Sequence, residues 1–148
     1  MPSSFEIAHS LRRRACLLLA ALLLSTPVLG QDVKVIANPT LGLNEISAAD
    51  LRSIFLGTKT ALENGSKVMP VMESNNTLLT TFARTYLGKS APALQAYYRS
   101  LVFSGRGSMP PAFPTDVEVV AYVAKTPGAI GYIRENAGSE RVKVLKVR

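Results

Sequence analysis

The start of the sequence has the layout of a secretory signal peptide, and this feature limits how much of the chain is left to fold. Three arginines at positions 12–14 precede the apolar run Ala15 to Leu24, and mostly small residues follow as far as Gly30. This is the order of a charged region, an apolar region and a cleavage region. The apolar run has ten residues. It is too short to span a bilayer as a helix, so we expect it to be removed.

Cleavage near Gly30–Gln31 leaves a mature chain of 118 residues, which is enough for one hydrophobic core. We therefore divide the sequence into a signal peptide at residues 1–30 and one domain at residues 31–148, which we expect to be periplasmic or secreted. The single cysteine and the single histidine of the chain both fall in the leader. The absence of thiol and imidazole groups excludes most catalytic triads and nearly all zinc sites. The remaining Ser, Thr, Lys, Tyr and carboxylate residues show no recognisable catalytic arrangement, so we expect no metal, no cofactor and no enzyme activity.

The charge of the mature chain bears on its partners. Without the leader, fourteen basic and nine acidic residues give a net charge of +5. The basic residues are scattered and form no patch interleaved with aromatic side chains, so we expect no nucleic-acid partner. A modest positive charge favours an anion or an acidic surface, although exported domains often carry such a charge without that role.

Segments with strand and helix patterns alternate along the predicted domain. The β-branched run at 33–37 predicts a buried first strand, and Pro70 predicts that the second strand has a bend or an edge position. Capping residues predict the helix starts, and glycines predict the helix ends. Helices are predicted after Ser47, at 77–87, after Ser90 and after Thr115. The second strand, which contains Pro70, is predicted at 67–72, and two more strands are predicted at 129–133 and 142–147.

This alternation predicts a fold of the α/β class. We expect one small domain of three-layer type, with a mixed, mostly parallel sheet and helices packed on it. The run from Ser104 to Pro114 is rich in glycine and proline and predicts an irregular, exposed loop. Phe55 and Tyr132 lie on the apolar sides of a predicted helix and a predicted strand, so we expect both in the core.

Two segments are candidates for binding an anion. The first is the strand-to-helix junction formed by Ser74, Asn75, Asn76 and Thr77. Free N–H groups and hydroxyls at a helix start attract negative charge, but the same residue types also form ordinary helix caps. The second candidate is Arg106, which stands between two glycines and could grip an oxyanion. The alternative for this segment is a solvated loop.

Two motifs resemble those of the periplasmic phosphate-binding proteins of bacterial ABC importers. Residues 51–57 (LRSIFLG) are similar to a helix of that family that ends in Ile-Phe-Leu-Gly. Residues 126–132 (TPGAIGY) are similar to its late Thr-Pro-Gly-Ala/Ser-Ile-Gly-Tyr segment. The resemblance implies the fold of one lobe of a type II periplasmic binding protein. It also implies phosphate or another oxyanion as ligand and a membrane permease or another envelope protein as partner.

The chain departs from that family in its length and in its anion loop. It has the length of about one lobe, whereas the family closes two lobes on the anion. The family's Arg-Ser-Asp-Gly-Ser-Gly-Thr loop corresponds here to residues 73–78 (ESNNTL), with Glu73 in place of the arginine. We therefore expect a solute-binding-type protein related to phosphate transport, with weak or altered oxyanion binding. The alternative is an envelope interaction or signalling module that kept the fold and lost the ligand site.

Overall fold

The β-branched run that begins at Val33 forms the central strand of the sheet. In the computed structural model, which describes residues 32–148, this strand, β1, covers Val33–Ala37. The predicted signal peptide and its cleavage site lie outside the described residues. The other elements are β2 (Glu45–Ile46), α1 (Ala48–Phe55), β3 (Met69–Pro70), β4 (Met72–Glu73), α2 (Asn76–Phe82, followed by a π-helical turn at Ala83–Leu87), α3 (Ala91–Phe103), β5 (Ala112–Phe113), α4 (Asp116–Lys125), β6 (Ala129–Arg134) and β7 (Lys143–Val147).

Five of these strands form one mixed sheet in the order β2-β7-β1-β6-β3. The central strand β1 is antiparallel to both of its neighbours, β6 and β7. The outer pairs, β2 with β7 and β3 with β6, are parallel. The predicted mixed sheet is therefore confirmed, and its longest pairings are antiparallel.

The chain changes sheets at Val71, just after the proline. The Val71 N–H donates to the Ile130 carbonyl of the main sheet (2.8 Å), whereas the next N–H, of Met72, donates to the Pro111 carbonyl (2.9 Å). β4 then pairs with β5 in a separate, parallel two-stranded sheet. Pro70 has no N–H to donate and lies in the edge strand β3, so the predicted bend and edge position are both found. The predicted loop at 104–114 is not wholly irregular, because its last part forms β5.

Helices cover both faces of the main sheet, as the three-layer prediction requires. On one face, α1, α2 and α3 pack against Val35 and Tyr132. On the other face, α4 packs against Ile36 and Ile133. Neighbouring residues of one strand thus belong to different cores because successive side chains in a strand point to opposite faces. No helix in the described part of the chain is long and apolar enough to cross a membrane.

The helix starts follow the predicted capping residues. The side chains of Ser47, Asn75, Ser90 and Thr115 each accept a hydrogen bond from a backbone N–H of the helix that follows. Thr115 also donates its hydroxyl to the Glu118 carboxylate (2.8 Å), which links the cap of α4 to the first turn of the helix. These local bonds satisfy N–H groups that the helices themselves leave free.

Close packing requires glycine at position 128 and leaves little space for a side chain at Gly131. A Cβ at Gly128 would lie 2.4 Å from the Lys67 carbonyl oxygen, and the backbone there has a φ of +83°. A Cβ at Gly131 would lie 3.2 Å from Val119 and 3.3 Å from Val123, which hold α4 against the sheet. The motif therefore serves the packing of β6 against its neighbours.

Phe55→Ala is expected to destabilise the protein by about 3 to 5 kcal/mol, because the deletion leaves a cavity in the core. The Phe55 ring is fully buried, 4.7 Å from the Phe82 ring centre and 6.0 Å from that of Tyr132. Urea unfolding measures the change. Phe103→Ala is the control, since that ring is 88% exposed, and it should change stability by less than about 0.5 kcal/mol. Similar losses from the two substitutions would contradict the packing described here.

Candidate functional site

The candidate site lies at the carboxyl ends of β4 and β5. These two strands are parallel neighbours, and each leads within a few residues into a helix, α2 after β4 and α4 after β5. The N-terminal ends of both helices therefore open at the same edge of the small sheet. This is the edge of an α/β sheet at which ligands usually bind.

The predicted junction residues lie at this edge with different roles. The Asn75 side-chain oxygen accepts from the N–H groups of Thr77 (3.1 Å) and Leu78 (3.3 Å), so this residue is the helix cap. Ser74, Asn76 and Thr77 are exposed. The structure thus brings the four predicted residues together and leaves three of them facing solvent.

Glu73, the residue before the junction, has a buried side chain. Its carboxyl group is 0% exposed, and neither of its oxygens has a hydrogen-bond partner among the described residues. Its backbone carbonyl accepts a hydrogen bond from the buried Tyr132 hydroxyl (2.8 Å). Burying a polar group without a hydrogen-bond partner costs free energy, and the cost is much larger for the ionised form of the group.

An ion pair formed by Asp116 and Arg134 lies beside this carboxyl. One Asp116 oxygen accepts from the Arg134 backbone N–H (3.0 Å), and the other accepts from the guanidinium Nη1 (2.8 Å). The guanidinium Nη2 lies 3.7 Å from Glu73 Oε1. The Arg134 side chain remains 36% exposed, so it is a cation at the surface of this cluster.

The surroundings of Glu73 decide its charge. Burial raises the pKa of Glu73, and the neighbouring Asp116 carboxylate raises it further. The Arg134 guanidinium lowers it by a smaller amount, and the resulting pKa is about 8 instead of 4.5. The carboxyl is therefore mostly protonated and neutral at pH 7. On the sequence alone, Glu73 was expected to repel an anion. The structure instead buries this side chain, and its raised pKa favours the uncharged form at neutral pH.

Local sequence patterns do not indicate the roles of Asp116 and Arg134 in this cluster. In the sequence, Asp116 directly follows the predicted cap Thr115, so it indicates only a helix start. The Asp116–Arg134 pair joins residues 18 positions apart, and Glu73 lies 43 positions before Asp116. The three residues come together because the end of β4 lies beside the start of α4 and beside β6, which ends at Arg134. Among the described residues, no group of three potential ligands is suited to hold a metal ion.

Arg106 is located elsewhere, before the amino end of β5. It lines a cavity of about 480 Å³ between the end of α1, the end of α3 and the loop that precedes β5. The cavity lining includes Tyr97, Leu101 and Met109 but none of the residues from 74 to 77. The junction residues follow the carboxyl end of β4, whereas the Arg106 loop enters β5 at its amino end. The two predicted candidates are therefore at opposite ends of the small sheet.

Comparison with known proteins gives similar structures but no similar sequences. No family model matches the chain. No curated protein matches it in sequence either. A structure described as a phosphate ABC transporter substrate-binding protein with bound phosphate, from Clostridium perfringens, is similar with a TM-score of 0.60 at 14% identity over 78% of this chain and 44% of that one. PstS from Borrelia burgdorferi is similar with a TM-score of 0.57 at 16% identity, over 78% of this chain and 47% of that one.

An ABC-type phosphate transport receptor from Vibrio cholerae matches with a TM-score of 0.52 at 12% identity, over 78% of this chain and 45% of that one. This chain therefore spans less than half the length of each of these proteins. At such identities the likeness shows the fold alone. The resemblance found in the sequence motifs is confirmed at that level, since the neighbours are phosphate-binding proteins of ABC transport and the mixed α/β fold is consistent with a single lobe.

Glu73→Gln is expected to remove a pH dependence of stability. The folded state holds a proton on Glu73 between pH 4.5 and about 8 that the unfolded chain releases. The contribution of this group to the free energy of unfolding is therefore complete below pH 4.5 and is lost as the pH rises to about 8. The stability of the wild type relative to the glutamine variant should fall by up to about 1.4 kcal/mol per pH unit in this range.

Urea unfolding of both proteins at several pH values between about 5 and about 8 measures this difference. Glu63→Gln is the matched control, because Glu63 is exposed and should leave the pH dependence of the wild type unchanged. A constant difference between wild type and Glu73→Gln across the range would mean that Glu73 is ionised in the folded protein.

Proposed function

We propose that this protein is an exported, non-enzymatic solute-binding domain that binds phosphate or another oxyanion weakly at the carboxyl edge of β4 and β5. The proposed ligand groups are the exposed Ser74, Asn76 and Thr77, with Asn75 fixing the start of α2. Arg134 would supply the nearest positive charge. The domain would serve in the periplasm, as the sequence signal and the fold neighbours suggest.

The observation that carries this proposal is the position of the junction. Exposed hydroxyl and amide side chains follow a parallel strand at the edge where α2 and α4 both begin. One of the solved structures with a similar fold contains bound phosphate. Backbone N–H groups at a helix start favour an anion, and the neutral form of Glu73 does not oppose one.

The same cluster explains why binding would be weak. Arg134 already neutralises Asp116, so the local charge near the junction is close to zero below pH 8. The junction side chains are also exposed to solvent, and the chain spans less than half the length of its fold neighbours. An open site leaves the anion partly hydrated and reduces the gain from each hydrogen bond. A membrane permease or another envelope protein is the proposed partner, and it would cover the open side.

Calorimetric titration of the exported protein with sulfate tests the proposal, because sulfate does not change its charge between pH 6 and pH 9. We expect saturable binding with a Kd below about 1 mM at pH 6.5. Thr77→Ala should weaken it about fivefold to thirtyfold, since a hydrogen bond to a charged ligand is lost. Ionisation of Glu73 should weaken it about fivefold at pH 9, and Glu73→Gln should abolish this change.

Two further substitutions make the test specific. Thr60→Ala removes an exposed threonine far from the junction in the fold, where it lines the Arg106 cavity, and should leave the Kd within about twofold. Arg106→Ala should also leave the Kd within about twofold if the junction binds the anion without the Arg106 loop. Millimolar or absent binding of sulfate, phosphate and related oxyanions would contradict the proposal and favour the interaction or signalling module instead. Equal losses from Thr77→Ala and Arg106→Ala would mean that the Arg106 loop reaches the same anion.

A further inference from the structure

The cavity that Arg106 lines has the size of a site for a small organic molecule. Its volume is about 480 Å³, and it lies between the end of α1, the end of α3 and the loop that precedes β5. Among its lining residues, Val68 and Tyr98 are buried, Met69 is half-buried, and Arg106 and Met109 are exposed. The lining therefore runs from a buried floor to a rim in contact with solvent.

Two tyrosines of α3 belong to this lining, and both are held in place. The Tyr97 hydroxyl donates to the Leu56 carbonyl, and the Tyr98 hydroxyl donates to the Phe55 carbonyl, each at 2.6 Å. These bonds join α3 to the end of α1. Because the two aromatic side chains are fixed before any ligand arrives, little ordering is needed on binding.

The lining also contains two methionines, which suit an aromatic ligand. Met69 lies in β3, and Met109 lies in the loop before β5. Methionine sulfur makes favourable contacts with aromatic rings, and rings pack on one another in offset or edge-to-face arrangements. Two tyrosines and two methionines in one cavity therefore favour a ligand with an aromatic body.

The charge of the lining is positive. Its charged residues are Lys59 and Arg106, and none of the described residues around the cavity is acidic. Lys59 is paired with Asp50, which lies outside the lining, whereas Arg106 forms no ion pair with a described residue. The Arg106 N–H donates to the Leu101 carbonyl (3.0 Å), which holds this loop against the end of α3. A guanidinium without an anionic partner is complementary to a carboxylate, which it can bind through two parallel hydrogen bonds.

We propose that this cavity binds a small aromatic carboxylate. Its ring would pack against Tyr97, Tyr98 and Met69, and Arg106 would hold the carboxylate at the rim. An inorganic anion would leave the apolar walls in water, and an uncharged ring would leave Arg106 without a partner. This site does not depend on oxyanion binding at the junction, which lies at the opposite end of the small sheet.

Calorimetric titration of the exported protein with naphthoate at neutral pH tests this site. We expect saturable binding with a Kd below about 1 mM. Arg106→Gln should weaken binding about fivefold to thirtyfold, because the charged hydrogen-bonded pair is lost. Met109→Ser should weaken it about threefold through lost apolar contact. The uncharged analogue naphthylmethanol should bind the wild type and Arg106→Gln with affinities within about twofold of each other.

Arg99→Gln is the matched control, since Arg99 is an exposed arginine of α3 that does not line the cavity. It should leave the Kd for naphthoate within about twofold of the wild type. Amide NMR should show naphthoate-induced shifts at Gly107, which lines the cavity, and none at Thr77 in the junction.

Three outcomes would overturn the proposal, whatever sulfate does at the junction. The first is no saturable binding of naphthoate. The second is an equal loss of affinity in Arg106→Gln and Arg99→Gln, or no loss in either. The third is tighter binding of the aliphatic carboxylate octanoate than of naphthoate, because the lining would then not select an aromatic body.

Discussion

The Tyr132 hydroxyl donates a hydrogen bond to the Glu73 carbonyl, and this buried contact joins the aromatic core to the end of β4. The Tyr132 ring is stacked on the ring of Phe82, the last residue of α2, at 3.9 Å, so α2 and the strand β6 share one group of packed side chains. The contact lies two residues after the point where the chain leaves the main sheet. It therefore fixes where β4 ends and where the junction residues begin.

The position at which β4 ends also determines the electrostatics of the candidate site. Because Glu73 ends β4, its side chain turns into the space between β6 and the start of α4, beside Arg134 and Asp116. The Arg134 guanidinium donates its short hydrogen bond to Asp116. Glu73 has no hydrogen-bond partner for its carboxyl oxygens among the described residues. Burial then favours its protonated form. A proposed oxyanion at the junction would meet an almost neutral cluster rather than the arginine of the related loop.

Much of the fold could be predicted from local patterns, because the helix caps and the alternation in β1 depend on neighbouring residues. Strands of two residues, such as β2 and β5, could not be predicted, since only their pairing with distant strands defines them. The junction was found from its residue types. The environment of the junction could not be predicted from residue types. The burial of Glu73 and the pairing of Asp116 with Arg134 depend on three segments that meet only in the folded chain.

The most direct test of this account is the ionisation of Glu73 in the folded protein. Carbon-13 NMR of the side-chain carboxyl, assigned by comparison with Glu73→Gln, follows the protonation of this one group as the pH is changed. The structure predicts a titration midpoint near pH 8, well above the ordinary 4.5. A midpoint near 4.5 would contradict it, because the carboxyl would then be ionised at neutral pH and the junction would carry a net negative neighbour.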